Sequence, residues 1–245
     1  MPSVGKYLCF PTTNPLTMAT SRGLLGSSLA RKYWMALTGL FLCLFLTVHL
    51  IGNLPILFGH QEDFNLYAQF MTTFPVIKAV SIGNMLLLAL HIVDGIVLTV
   101  QNRKARPEGY KSYKGSANAS WASRSMALLG MLTLIFLLVH LKSFWYEMKW
   151  GHVPTMLIEG AEVKDLYTIT VTAFHETWYT MLYVICMIAL GFHLSHGFSS
   201  AFQTMGWSHP THTPRVKLFG KIYAVLISAG FAIIPLIVWY QNLNA

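Results

Sequence analysis

The sequence predicts an all-α integral membrane protein with five transmembrane helices, and three observations carry that expectation. Of 245 residues, 54% are hydrophobic and only 11% charged, against about 25% charged in an ordinary soluble domain. Five apolar runs, approximately residues 33–58, 74–100, 126–146, 171–198 and 218–240, reach the ~20 residues that a bilayer-spanning helix needs. The 17 Lys and Arg outnumber nine Asp and Glu, for a net charge of +8, yet they flank the apolar runs instead of forming a basic domain. That pattern points to membrane lipid and to no nucleic acid. Too little polar sequence remains for a self-contained flavoenzyme or hydrolase, so the chemistry must lie inside the helices.

Taken in order, residues 1–30 form an irregular segment with Pro11, Pro15, Gly23 and Gly26, and residues 31–245 form the five-helix domain. The Arg31-Lys32 pair ahead of the first apolar run imitates a signal peptide. The run is too long for a signal h-region and has no convincing cleavage site, so it is read as a retained span. Strands are not expected, because barrel strands are about 10 residues long and alternate, and these runs do not. Cys9, Cys43 and Cys186 form no CxxC or CxxCH, which leaves neither a cysteine zinc site nor covalent haem attachment. Cys43 and Cys186 read as small buried apolar residues.

Orientation follows from the cations. Thirteen (Lys6, Arg22, Arg31, Lys32, Arg103, Lys104, Arg106, Lys111, Lys114, Arg124, Arg215, Lys217 and Lys221) fall on the side of the N-terminal segment. Lys78, Lys142, Lys149 and Lys164 fall on the other, with most of the acids. The positive-inside rule then predicts a cytoplasmic N-terminus and an external C-terminus in a prokaryotic cytoplasmic membrane. The Asn118-Ala119-Ser120 sequon would face the cytoplasm and stay unused.

Histidines stand out within the spans: His49, His91, His140, His193 and His196. An ionisable group at that depth is costly and points to function, and imidazoles from facing helices are the ligands of b-type haem. His49 lies 18 residues after Arg31 and His140 16 after Arg124, about 27 and 24 Å up their helices. His91 lies 16 residues below Pro75 on a descending helix, and His193 and His196 are lower still on theirs. The histidines sort into an outer pair, His49 with His140, and an inner pair, His91 with His193 or His196. Two bis-histidine haems stacked across the membrane are the simplest use of that arrangement, carrying electrons between the faces. His193 and His196 face about 60° apart on a helix, so one can ligate while the other serves a propionate or moves protons.

The stripe of His49 carries Phe45, Leu42, Thr38 and Arg31, and that of His140 carries Phe136, Thr133 and Leu129. Arg31 reaches the level of the inner propionates, and Ser27, Ser28, Lys32 and Trp121 are further donors there. Asp94, one turn below His91, either orients a histidine or pairs with an inner arginine. His175-Glu176 and His60-Gln61-Glu62-Asp63 lie at the outer rim, where they can carry protons in quinone chemistry.

Two stretches resemble a known family. One is Ser27-Ser28-Leu29-Ala30-Arg31-Lys32-Tyr33-Trp34-Met35-Ala36-Leu37-Thr38-Gly39, followed by His49-Leu50-Ile51-Gly52-Asn53. The other is His193-Leu194-Ser195-His196-Gly197-Phe198-Ser199-Ser200-Ala201-Phe202-Gln203-Thr204. They resemble the cytochrome b membrane anchor of succinate dehydrogenases and fumarate reductases, in the two-haem, five-helix, single-subunit class. The resemblance implies four helices forming a haem-binding bundle around two haems b, a menaquinone site, and a flavoprotein and an iron–sulfur subunit docked on the cytoplasmic face. It matches His49 and His140 to the outer haem ligands and His91 and His196 to the inner ones, the His-Gly dipeptide favouring His196. It leaves Ser28, Arg31, Lys32, Trp121 and His193 as further cofactor-binding residues. Glu62 and Asp63 become candidate quinone-site proton carriers, and the whole complex has room to assemble into a higher oligomer.

The reaction so implied takes electrons from succinate on the partner flavin through the iron–sulfur centres and both haems to menaquinone, or runs in reverse to fumarate. Two other readings compete. A cytochrome b anchor of a hydrogenase or formate dehydrogenase would share the dihaem bundle. A histidine-lined, proton-coupled or metal transporter would carry no haem and would favour internal repeat symmetry, which five spans without a repeated motif lack.

Overall fold

The computed structural model describes residues 27–105 and 120–244. The irregular N-terminal segment with Cys9, most of the basic loop after the second span, and Asn118 of the sequon lie outside the described residues.

Helix α1, Ser28–Asn53, starts where the Ser27 side chain caps it by accepting from the Ala30 amide at 3.1 Å. It runs into a 3₁₀ turn, Leu54–Phe58, stopped by Gly59 at φ 71°. Helix α2, Gln61–Thr73, carries Glu62 and Asp63 in its first turn, where the helix dipole favours anions. Helix α3, Pro75–Lys104, opens on proline and closes on Arg103 and Lys104, the residue types each terminus prefers. A single turn α4, Trp121–Arg124, leads into α5, Met126–His140. There the winding loosens into a π-helical turn, Leu141–Tyr146, before α6, Glu147–Trp150.

A hairpin follows, β1 Thr155–Ile158 and β2 Ala161–Lys164, paired antiparallel with Thr155 opposite Lys164 and Ile158 opposite Ala161. Its two turn residues, Glu159 and Gly160, both have positive φ, 49° and 79°, the geometry whose twist suits a two-residue hairpin. Then come α7, Leu166–His175, capped by Asp165; α8, Thr177–Thr204; and α9, His212–Leu243.

Five helical spans are long and apolar enough to cross a membrane: Leu29–Phe58, Pro75–Lys104, Met126–Trp150, Thr177–Thr204 and His212–Leu243. The structure differs from the sequence expectation in helix α2, which is absent from that expectation, in the ends of the spans, and in two further places. Residues 171–175 belong to the separate helix α7, because Glu176 is extended and breaks the chain before α8. The hairpin is a small departure from an all-α fold, and it lies outside the five spans.

Four of the spans close a ring: α1 packs on α3, α3 on α5, α5 on α8, and α8 on α1. Helix α9 lies outside this ring along α8 and touches α1. The apolar cores run through one side of it. Cys43, Cys186, Met187, Leu190, Leu194, Ala224 and Ile227 knit α1, α8 and α9 together, and both cysteines are free. A second cluster, with Phe64, Phe174, Tyr179, Tyr183, Ile234 and Val238, closes the end where α2, the hairpin and α7 gather. Helix α3 adds no side chain to either core. Its surface carries exposed Val76, Val80, Ile82, Leu86, Val93 and Ile96, apolar area that would promote association in water.

The gathered end is locked by polar contacts. Asp165 accepts from Asn65 Nδ2 and Gln61 Nε2, each at 2.9 Å, and from the Thr168 amide at 3.1 Å, while Asn65 Oδ1 accepts from the Tyr167 amide. Burial alone would raise the Asp165 carboxyl, but the hydrogen bonds from Thr168, Asn65 and Gln61 outweigh it and hold it below the usual aspartate range. Three of these bonds join α2 to the start of α7, which fixes the cap above the bundle.

Candidate functional site: two histidine pairs inside the ring

Each histidine arrives on a different wall of the ring. His49 of α1 meets His140 of α5 with ring centroids 5.8 Å apart and planes at 86°. His91 of α3 meets His193 of α8 at 6.3 Å and 73°. The first pair lies towards the gathered end, called outer from the charge distribution, and the second towards the other end. Two imidazoles bound to one metal from opposite sides have centroids roughly 6.2 Å apart, from a bond of about 2.0 Å and about 1.1 Å from nitrogen to centroid. Both pairs stand close to that separation.

The hydrogen bonds favour one tautomer of His91. The Thr38 hydroxyl lies 2.7 Å from the Trp34 carbonyl and 3.2 Å from that of Met35. With its proton on either carbonyl, Thr38 Oγ1 accepts from His91 Nδ1, 3.1 Å away. In that arrangement Nδ1 carries the hydrogen and Nε2 presents its lone pair, the tautomer a metal on Nε2 needs. Thr38 is 2% exposed. A Cβ built on Gly39, the next residue of α1, would stand 3.3 Å from His91 Cε1. Glycine there lets α1 and the imidazole come close.

At the outer pair, Tyr183 Oη lies 3.2 Å from His140 Nδ1, and Tyr179 Oη lies 3.1 Å from that of Tyr183. Phe45 stacks on His49 at 5.3 Å and Phe136 on His140 at 5.7 Å, the aromatic residues that share those helix stripes. The π-helical turn begins directly after His140, and such turns recur at functional sites.

Three buried side-chain polar atoms among the described residues have no partner: Arg31 Nε, Asn84 Oδ1 and His193 Nδ1. All three sit on walls of the ring, on α1, α3 and α8. Unpaired polar atoms cost free energy in an apolar interior, and those of Arg31 and His193 fit a polar-edged group held between these helices. No cluster of three or more His, Cys, Asp or Glu ligands forms among the described residues. What the ring offers is paired imidazoles, which suit a cofactor that brings its own in-plane ligands.

The remaining sequence candidates fall in different places. Arg31 Nη1 pairs with Asp94 Oδ1 at 2.9 Å, tying α1 to α3 one turn below His91. Trp121 packs on Phe192 at 5.3 Å, beside His193, and Lys32 is exposed. Ser28 opens α1, and the neighbouring Ser27 hydroxyl is spent on the helix cap. Glu62 is exposed on α2, and Asp63 meets His60 at 3.3 Å with both side chains well exposed. His196 is half-buried one turn beyond His193, and the ring that meets His91 is that of His193. The His-Gly dipeptide that favours His196 is thus at odds with the packing, because the 60° between the two positions turns His193 to α3.

Sequence reasoning did not single out Tyr179, Tyr183, Asn84 or the Asp165 network. Thr38 was visible as a hydroxyl on an otherwise apolar stripe, although its partner turns out to be on α3. Comparison with known proteins gives no match: no family model, no curated protein and no solved structure.

Proposed function

We propose that this chain is a dihaem cytochrome b membrane anchor, passing electrons from an iron–sulfur subunit to menaquinone in a succinate dehydrogenase or fumarate reductase. The observation that carries the cytochrome reading is the two imidazole pairs at metal-bridging separation, one of them with a Thr38 hydroxyl on Nδ1. The two sequence motifs around Arg31 and His193 favour the succinate and fumarate complexes over other dihaem anchors. Exposed Trp34, Trp121 and Trp207 at one end of the bundle, and Tyr146, Trp150, Trp178 and Tyr240 at the other, are what two membrane interfaces attract.

When bound, haem supplies a one-electron carrier whose potential depends on its ligands and their hydrogen bonds. His49 and His140 would hold the outer group and His91 and His193 the inner one. Thr38 keeps His91 Nε2 available. Arg31, steadied by Asp94 and with Nε unspent, offers a donor to a propionate near the inner pair, helped by Lys32 and Trp121. His196 supports the inner site from one turn away. Glu62 and Asp63, exposed at the outer rim, exchange protons with the medium as quinone is reduced. The N-terminus lies on the cytoplasmic side of a prokaryotic membrane, where the flavoprotein and iron–sulfur subunits dock.

Gentle extraction and affinity purification of the tagged chain test this reading. A succinate–quinone reductase activity co-purifying with a flavoprotein and an iron–sulfur protein is expected. Co-purification of hydrogenase or formate dehydrogenase subunits would reassign the complex.

A further inference from the structure

We propose that Tyr183 and Tyr179 are positioning residues that set the reduction potential of the outer haem through His140. The inference rests on the cytochrome reading above and goes beyond it.

The two tyrosines are one helical turn apart on α8, 5% and 6% exposed, with hydroxyls 3.1 Å apart and Tyr183 Oη 3.2 Å from His140 Nδ1. Phe136, Phe144 and Phe174 pack around Tyr183 at 4.9, 6.4 and 5.1 Å between ring centroids. Such a chain has two directions while His140 is unligated. Tyr179 can donate to Tyr183 and Tyr183 to Nδ1, or the order can reverse. Metal on Nε2 removes that freedom. The only hydrogen left on a neutral imidazole is then on Nδ1, so His140 donates to Tyr183 and Tyr183 donates to Tyr179.

An acceptor on Nδ1 pushes electron density towards Nε2 and raises the basicity of the ligand. That favours the oxidised iron and lowers the potential. A second hydroxyl strengthens the effect, because hydrogen bonds in series polarise one another in a low-dielectric interior. A phenol is too weak a base to remove the Nδ1 proton, so the effect is a graded adjustment instead of a change of ligand charge. The inner pair is built differently: the Thr38 chain ends on backbone carbonyls, and His193 Nδ1 has no partner. The two sites are therefore adjusted by separate devices, one on α8 and the other on α1.

The test is a spectroscopic redox titration of the purified complex, with the outer wave assigned as the one lost in His49→Ala. Tyr183→Phe keeps the ring and removes the acceptor, so the outer midpoint should rise while the inner one stays in place. Tyr179→Phe should move the outer midpoint in the same direction by less, because Tyr183 still accepts from His140. An unmoved or falling outer midpoint in Tyr183→Phe, or equal movement of both waves, would overturn the relay. A wild-type complex without two haems would instead remove the reading on which the relay rests.

Discussion

Thr38→Val removes one hydroxyl from the interior and almost nothing else, since valine matches threonine in shape. The carbonyls of Trp34 and Met35 keep their helical partners, so the loss falls on His91. Its Nδ1–H loses the buried Thr38 acceptor, which costs about 1–3 kcal/mol. The imidazole can escape that cost by moving its proton to Nε2, the wrong tautomer for ligation. Losing such an outer partner usually weakens metal binding about 10–100-fold, or about 1.4–2.8 kcal/mol at 1.4 kcal/mol per tenfold, and the two estimates agree. The assay is haem transfer to excess apomyoglobin, followed at the wavelengths of each haem. The inner haem of Thr38→Val should leave about 10–100-fold more readily than that of wild type. The outer haem should be unaffected, and Thr38→Ser should restore retention. Equal retention in wild type and Thr38→Val would refute the claim that this hydroxyl holds a ligating His91.

Other consequences follow from the same geometry. His193→Ala should abolish the inner haem spectrum, whereas His196→Ala should leave it bound with a shifted potential; the reverse pattern in difference spectra would move the ligand to His196. Ring planes at 86° and 73° within the pairs should give strongly anisotropic low-spin ferric signals in electron paramagnetic resonance at both sites, and ordinary rhombic signals would mean that the planes are parallel. Asp165→Ala should cost about 2–4 kcal/mol, about 1 for the lost helix cap and about 1–3 for the orphaned Asn65 amide, read as a lower unfolding temperature in detergent. The folded Asp165 carboxyl lies below its usual value, so its contribution is complete above about pH 3.9 and drains away as pH falls through the lower folded value. Stability of wild type below that pH should drop more steeply than that of Asp165→Ala.

The spans were legible because a helix in an apolar medium must satisfy its own backbone and needs a long uninterrupted run. Depth was legible too: counting residues from Arg31 and Arg124 sets His49 beside His140, and those rings meet in the structure. The cap was not. Helices α2 and α7 are short and carry their buried faces on a few residues such as Phe64, Asn65, Thr170 and Phe174, too few to register as a period. The hairpin escaped notice because its turn places Glu159, not the usual asparagine or aspartate, at φ 49°. Helix α7 ran together with α8 in the sequence because Val171 to Phe174 is as apolar as the span that follows, and only Glu176 interrupts it. His193 and His196 differ by a rotation that spacing cannot choose between, and the choice is made by which face of α8 meets α3. The tyrosine relay depends on a contact between α8 and α5, for which a single sequence holds no signal.

The central claim is that four histidines of this one chain hold two haems, and haem stoichiometry tests it most directly. The purified chain, expressed with sufficient haem, is quantified as the pyridine haemochrome alongside a dithionite-reduced minus oxidised spectrum. The account expects two haems b per chain in wild type, with one lost in each single alanine variant at His49, His91, His140 or His193. A chain that folds and inserts yet binds no haem would contradict it.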